Sequence, residues 1–182
     1  MTVPGDEAVV PAVARFDDAF DAGLERVRGH PVANRVFRTA SALGDFSVIW
    51  HMVGAGWGLT SARRTDRALR LVVLLGAESL VVNQGIKRLF GRARPTEAGD
   101  PRYPVRRPGT SSFPSGHASA GFFAASLLTE SEPVLAPLWF ALAGVVATSR
   151  AYVRIHHGSD IVAGAVTGLA LAAVAKRVWP AR

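Results

Sequence analysis

Charge is unevenly distributed along the 182 residues, and this limits the possible folds more than any other property. Five stretches, residues 46–62, 71–86, 115–129, 133–149 and 161–175, hold no formal charge apart from Glu78. Each reads as a hydrophobic helix. A membrane span needs about 20 residues, with a lower limit of about 17, and several of these stretches sit at or below that limit. The competing reading is five buried helices of a soluble all-α protein. Against it, the segments lack a polar face. Residues 133–149 and 161–175 are apolar or small all round, with Gly144, Ala147, Gly164, Ala165, Gly168, Ala172 and Ala173 among them. Helices rich in Gly and Ala suit close packing in lipid, and flanking Arg side chains that snorkel outward make up for shortness. The expected fold is an all-α, multi-span transmembrane helical bundle of about five spans, placed in the cell membrane.

Composition narrows the function. The chain has 21 basic residues (2 Lys and 19 Arg) against 14 acidic ones, yet charged residues make up only 19 %. Typical soluble domains carry about a quarter. A nucleic-acid binder reaches high basicity by being rich in charge, so no nucleic-acid partner is expected. The hydrophobic content of 49 % excludes disorder. The absence of Cys removes disulfides, thiol nucleophiles and Cys-ligated zinc.

The amino-terminal stretch differs from the rest. Val9, Val13, Phe16, Phe20, Leu24 and Val27 recur at spacings of three and four, with Asp17, Asp18, Asp21, Glu25, Arg26 and Arg28 between them. This is the pattern of an amphipathic helix, lying on the membrane surface or packed against the bundle. Pro11 suits its first turn and Gly29 its stop. We divide the chain into an amphipathic segment, 1–42, and a membrane-embedded domain, 43–182. The start shows no secretory signal pattern.

The connection 87–113 is rich in Gly, Pro and Arg, and carries seven basic and two acidic residues. A loop longer than about 12–15 residues in a compact domain is usually functional or disordered. Composition alone leaves open a basic surface loop touching anionic lipid head groups. Three motifs decide: Lys87-x6-Arg94-Pro95, Pro114-Ser115-Gly116-His117, and Ser149-Arg150-x5-His156-x3-Asp160. All lie at ends of expected helices. With antiparallel spans, the chain leaves one face near Ile86, re-enters at Ser115, returns at Ser149 and re-enters near Asp160, so span counting alone puts the motifs on one face.

This ordered set, with eleven fixed identities between Lys87 and Asp160, resembles the type 2 phosphatidic acid phosphatase family. Its superfamily includes bacterial acid phosphatases, glucose-6-phosphatase and vanadium haloperoxidases. The resemblance covers roughly residues 44–174. Membrane members commonly have six spans where five are counted here, with the amphipathic segment standing where an earlier span would be expected.

The chemistry of the motifs agrees. A phosphate monoester carries about two negative charges at neutral pH. Lys87, Arg94 and Arg150 offer three cations to hold it, the guanidinium groups in a bidentate fork. Ser115, Gly116 and His117 stand at a helix start, where backbone N–H groups point at an anion, and Ser115 adds a hydroxyl. His156 and Asp160, four apart, share one face of a helical turn, and a carboxylate on one imidazole nitrogen fixes the tautomer. The resemblance implies that His156 attacks phosphorus and forms a phosphohistidine. It further implies that Asp160 orients His156, and that His117 is the acid for the leaving alkoxide and then the base for water. No metal and no other cofactor is expected, because side-chain cations neutralise the phosphate.

Other polar residues receive lesser roles. His157 faces head groups or solvent. Glu78, inside a span, pairs with Arg70 or His51 or sits protonated. Asp45 caps the first span. Ser111, Ser112 and Tyr103 are candidates for the entrance. Arg102, Arg106 and Arg107 meet lipid, or a second phosphate of a diphosphate substrate.

The expected protein is an integral membrane lipid phosphatase. Its substrate is a lipid phosphate: phosphatidic acid, phosphatidylglycerol phosphate, or a polyprenyl phosphate or diphosphate. Its other partners are membrane lipids. The alternatives are a soluble-type acid phosphatase or vanadate-dependent haloperoxidase, and a non-catalytic membrane protein that binds anionic lipid. Basic-residue counts favour a cytoplasmic motif face and the bacterial resemblance favours the opposite side, so orientation is left open, as is oligomeric state.

Overall fold

The structure, a computed structural model, describes residues 6–96, 100, 102, 103, 105 and 109–181. Among them are seven α-helices and no strand. They are α1 (Asp6–Glu25), α2 (Pro31–Gly44), α3 (Val48–Gly58), α4 (Ala62–Leu80), α5 (Gly116–Ser131), α6 (Ala136–Tyr152) and α7 (Gly158–Val178). Beyond Leu80, α4 runs on through a wide π turn, Val81–Gly85, and a tight turn, Ile86–Leu89.

α5 is the axis of the bundle. Apart from His117 and Glu130 its residues are small or apolar on every side, and Ala118 to Ala120, Phe123 to Ala125, Leu127 and Leu128 are all buried. A helix that is apolar all round belongs inside a bundle. α6 and α7 pack along it and α4 closes a third side. Trp50, Leu71, Leu75, Phe123, Leu128 and Val146 form the main core. Small residues set the α5–α7 distance: a β-carbon at Gly164 or Gly168 would run into the carbonyl oxygens of Ser115 and Ser119. This is the small-xxx-small packing of membrane helices.

The outer faces are apolar. Leu69, Val72, Val73 and Leu80 on α4, and Val162, Val166 and Leu169 on α7, are exposed at helical spacing. Contiguous apolar stripes of this extent are not left facing water, and they give the molecule its lipid-facing surface. The protein is a multi-pass membrane protein. Among the described residues, three segments are long and apolar enough to cross a membrane: Ala62–Leu89, Pro133–Tyr152 and Gly158–Val178. Of the five expected spans, the remaining two correspond to shorter helices. α5 has 16 residues. α3 has 11, a rise of about 16 Å, roughly half of a ~30 Å hydrocarbon core.

α3 is short because the chain turns sharply before it. Phe46 and Ser47 have left-handed φ of 53° and 58°, so α2 ends at Gly44 and cannot continue. Asp45 does not cap a span as expected. Ser47 occupies the cap position of α3, without a side-chain bond, and Asp45 points elsewhere. Glu78 likewise does not pair with Arg70, which binds Glu130 at 3.1 Å and the Trp179 carbonyl at 2.7 Å.

α1 packs on α6 and α7, with Phe20 against Gly158, while Val10, Val13 and Phe16 stay exposed. Its acids face the loops at the motif end. Asp21 binds Arg28 at 2.5 Å and Arg154 at 3.1 Å, and Glu25 binds Arg28 and Arg154 at 2.8 Å and Arg102 at 3.0 Å. Those contacts, with Arg102 first and Arg28 next, hold the Glu25 carboxyl at about 2.

The glycine packing is testable. Gly168→Ala forces α5 and α7 apart and is expected to cost about 1–3 kcal/mol. Gly144→Ala, where nothing lies within 4 Å of the new β-carbon, is expected to leave stability unchanged. Thermal unfolding of the two variants in detergent checks this.

Candidate functional site

Each motif is carried by the end of a helix at one face of the bundle. Lys87 sits in the tight turn that follows α4, buried. The preceding π turn shifts the helical register there, a device that recurs at functional sites. Asn83, in that turn, and Lys87 both approach the start of α5. A β-carbon on Gly116 would stand 3.1 Å from Asn83 Oδ1 and 3.6 Å from Lys87 Nζ. Glycine at 116 thus keeps the helix mouth open to these groups.

Ser115 is the N-cap of α5. Its hydroxyl accepts from Ala118 N–H at 3.5 Å, and its own N–H donates to the Asp160 carbonyl at 3.0 Å. It therefore ties α5 to α7. The Gly116 and His117 N–H groups, ahead of the capped Ala118 N–H, have no intrahelical partner and form the positive end of the helix dipole.

Arg150, in the last turn of α6, is buried. Its NH1 donates to Ser41 Oγ at 2.5 Å and lies 3.7 Å from Asp45 Oδ1, while its Nε is buried without a partner. After α6 the chain turns through Arg154, whose φ is 56°, and presents His156 before α7 begins. His156 Nδ1 lies 3.4 Å from Asp160 Oδ2 and Nε2 lies 3.4 Å from Arg94 NH1. These partners assign the tautomer: Nδ1–H donates to the carboxylate and the Nε2 lone pair is left toward Arg94. Arg94 is itself fixed by the carbonyls of Ile155 at 2.8 Å and Thr110 at 3.1 Å.

Asp160 is fully buried and held on three sides. It accepts from His157 N–H at 2.9 Å and from Arg92 NH1 at 2.6 Å, besides facing His156. Arg92 NH2 continues to Asp17 Oδ2 at 2.6 Å, and Asp17 accepts from Ser159 N–H at 2.7 Å. A chain of charge-assisted bonds thus runs from α1 through Arg92 to the His156 ring. Burial is the main force lowering the His156 pKa, with Arg94 and Arg150 adding to it against the pull of Asp160, and it comes down to about 3.

Lys87, Gly116, His117, Arg150 and His156 line one cavity of about 330 Å³, together with Glu78, Asn83 and Asp45. The three motifs therefore converge as span counting predicts. Ser115 and Asp160 support the walls from behind, and Arg94 reaches the His156 ring.

Several residues were missed or misplaced by sequence reasoning. Asp45 Oδ1 lies 3.2 Å from His117 Nε2, which also meets the Ser41 carbonyl at 3.2 Å. Glu78 accepts a hydrogen bond from Ser119 Oγ, one turn into α5. Arg92 carries no motif label, although its place two residues before Arg94 was a usable signal. His157 caps α7 and lies 4.0 Å from Asp17, only partly exposed. Ser111 and Ser112 staple the loop: Ser111 Oγ accepts from Arg92 N–H at 3.2 Å and Ser112 Oγ donates to the Ala93 carbonyl at 3.1 Å. Tyr103 is buried against Tyr152. Arg102 is committed to Asp100 at 2.8 Å. Arg106 and Arg107 lie outside the described residues.

Residues 67–182 match the PAP2 superfamily. The chain is 32 % identical to the decaprenylphosphoryl-5-phosphoribose phosphatase of Mycolicibacterium smegmatis, over 88 % of this chain and 81 % of that protein. It is 28 % identical to phosphatidylglycerophosphatase B of Bacillus subtilis over the same shares, 88 % and 81 %. In three dimensions it is similar to the transmembrane PAP2-type phosphatidylglycerolphosphate phosphatase of Bacillus subtilis. There the TM-score is 0.68 and the identity 26 %, over 92 % of this chain and 86 % of that one. LpxE of Aquifex aeolicus gives the same TM-score, 0.68, at 19 % identity over 97 % and 99 %, a likeness of fold.

The buried imidazole has a consequence for stability. Below its ordinary pKa of about 6.5, the unfolded chain binds a proton that folded His156 refuses until about pH 3. Stability is therefore lost as pH falls through that window, by about 2 kcal/mol at pH 5. His156→Gln is expected to flatten the acid limb of the melting temperature against pH, by ~4–8 °C at pH 5. An unchanged acid limb would show that His156 does not titrate in this way.

Proposed function

This chain belongs to the PAP2 superfamily and is an integral membrane phosphatase, and from that premise we propose that it hydrolyses a lipid phosphate by way of His156. The observation that carries the mechanism is the orientation of that ring, in the wall of the cavity: Nδ1 on Asp160, Nε2 toward Arg94. The Nε2 lone pair attacks phosphorus as the ester P–O bond breaks. His117 gives a proton to the departing alkoxide, which leaves as the alcohol. A water molecule then attacks the phosphohistidine and passes a proton back to His117. The P–N bond breaks, and inorganic phosphate departs. Asp45, beside His117, steadies that ring when it regains its proton.

Lys87, Arg94, Arg150 and the first N–H groups of α5, from Gly116, hold the non-bridging oxygens and meet the charge that builds in the transition state. Ser115 sets the position of that helix end. Arg150 supports this reading with its partnerless buried Nε, because a buried guanidinium donor is costly until an anion meets it. Asp160, fixed by Arg92 and the His157 N–H, keeps the nucleophile in one tautomer. The cations that neutralise the phosphate belong to the protein, so we propose that no metal or other cofactor takes part.

The lipid nature of the substrate is supported by the apolar outer faces of α4 and α7 and by the curated relatives, whose names specify lipid-linked phosphates. Phosphatidic acid, phosphatidylglycerol phosphate and polyprenyl phosphates or diphosphates make up the class.

Phosphate release from purified protein across these lipids tests the proposal. His156→Ala is expected to abolish turnover, with a loss on the order of 10³-fold or more. His117→Ala is expected to slow release about 10²–10⁴-fold on alkyl esters and far less on aryl esters, whose leaving groups need no proton. Vanadate is expected to inhibit, and activity to persist in EDTA. Full activity in His156→Ala would overturn the mechanism.

A further inference from the structure

Two cavities meet at Asp45. One holds the converged motifs. The other is a groove of about 690 Å³ along α2, walled by Arg35, Arg38, Ser41, Asp45 and, from the long loop, Val105. Positions 35, 38 and 42 follow one another at helical spacing, and Asp45 stands one residue past the end of α2, so α2 turns both arginines to the groove.

The charge on that face differs from that of four nearby arginines. Arg28, Arg92, Arg102 and Arg154 are each bound to carboxylates. Arg35 and Arg38 are exposed and enter no ion pair among the described residues. The acid of the groove, Asp45, is already shared between His117 and Arg150. Among the described residues the groove therefore presents two guanidinium groups with no acid of their own, and it ends at the wall of the catalytic cavity. Guanidinium pairs of this kind recognise phosphoryl oxygens.

We propose that this groove is a second anion site, which holds the phosphodiester of a substrate whose terminal phosphomonoester sits in the motif cavity. The proposal rests on the lipid phosphatase reading above. Geometry selects a phosphodiester rather than a diphosphate. From Arg38 to Gly44, the residue before Asp45, the helix rises about 9 Å. The two phosphorus atoms of a diphosphate share one oxygen and would both lie within the first cavity. A phosphoryl group reaching Arg35 and Arg38 must be separated from the reacting one by a short carbon chain. Phosphatidylglycerol phosphate has that form, and so does a prenylphosphoryl sugar phosphate. The expectation that Arg102 provides the second contact is thereby replaced, since Arg102 is held by Asp100 and Glu25.

The test compares three substrates in neutral detergent micelles, with the wild-type protein and the double variant Arg35→Gln, Arg38→Gln. The substrates are phosphatidylglycerol phosphate, phosphatidic acid and a prenyl diphosphate. The variant is expected to lose about tenfold in kcat/KM on phosphatidylglycerol phosphate, mostly through KM, and little on the other two. Their retained turnover shows that the variant is folded. Arg35→Lys, Arg38→Lys is expected to restore part of the loss. Equal losses on all three substrates, or none on any, overturn the second site and leave the phosphatase reading intact. So does a wild-type protein that hydrolyses phosphatidic acid but not phosphatidylglycerol phosphate. A loss on phosphatidic acid that appears only in anionic vesicles assigns Arg35 and Arg38 to the membrane surface and also overturns it. No phosphate release by the wild-type protein from any of the three sinks the underlying reading, and the groove with it.

Discussion

Arg92 stands between two buried carboxylates, Asp17 of α1 and Asp160 of α7, at 2.6 Å from each. A carboxylate without water or partner is too costly to keep ionised, and Asp160 is fully enclosed. Its charge is retained because Arg92 and the His157 N–H face it. The His156 tautomer follows from that charge. α1 is drawn in by the same cation, since Asp17 fills the other half of the guanidinium fork. One side chain in an irregular loop therefore connects the amino-terminal helix, the long connection 87–113 and the start of α7. Breaking such a buried pair by removing one partner is far more damaging than the worth of the pair itself.

The bundle supplies the rest of the positioning through small residues. Gly164 and Gly168 let α7 lie against the carbonyls of Ser115 and Ser119. That contact brings the Asp160 carbonyl to the Ser115 N–H, 3.0 Å away. The helix end at Gly116 and the loop carrying His156 are thus set by one close approach of two backbones. Packing and chemistry are not separable here: an added methyl group that moves α7 also moves the proposed nucleophile.

The motif residues, their shared face and the helical bundle were legible in the sequence, because residue type, spacing and apolar run length carry that information. The step from His156 to Asp160 was legible for a reason that turned out different. The pair does not lie on one helical turn. His156 precedes α7, and Asp160 reaches back from the first turn while accepting the His157 N–H. Long-range partners were not legible. Glu78 finds Ser119 and Arg70 finds Glu130, and nothing in the local pattern distinguishes these from the pairing expected. α2 was passed over because Pro31–Gly44 mixes Arg, Thr and Ser with its apolar residues. The left-handed turn at Phe46 and Ser47 lacks the glycine that would have marked it.

The excess of basic residues also takes on a different meaning. Counted along the chain, the loop 87–113 looks like a concentrated positive surface. In the fold, part of that charge is internal to the architecture: Arg92 and Arg102 are consumed by Asp17, Asp160, Asp100 and Glu25. Acids of α1, distant in sequence, cancel what the loop and the turn after α6 bring. Lys87, by contrast, enters no ion pair among the described residues, and Arg150 has only the shared Asp45. Cations crowded in a buried place repel one another, and the fold accepts that cost where an anion offsets it. The relevant quantity is therefore not how basic the chain is but which guanidinium and ammonium groups its own carboxylates leave uncovered. Lys87 and Arg150 on one of the two cavities that meet at Asp45, and Arg35 and Arg38 on the other, are among those groups.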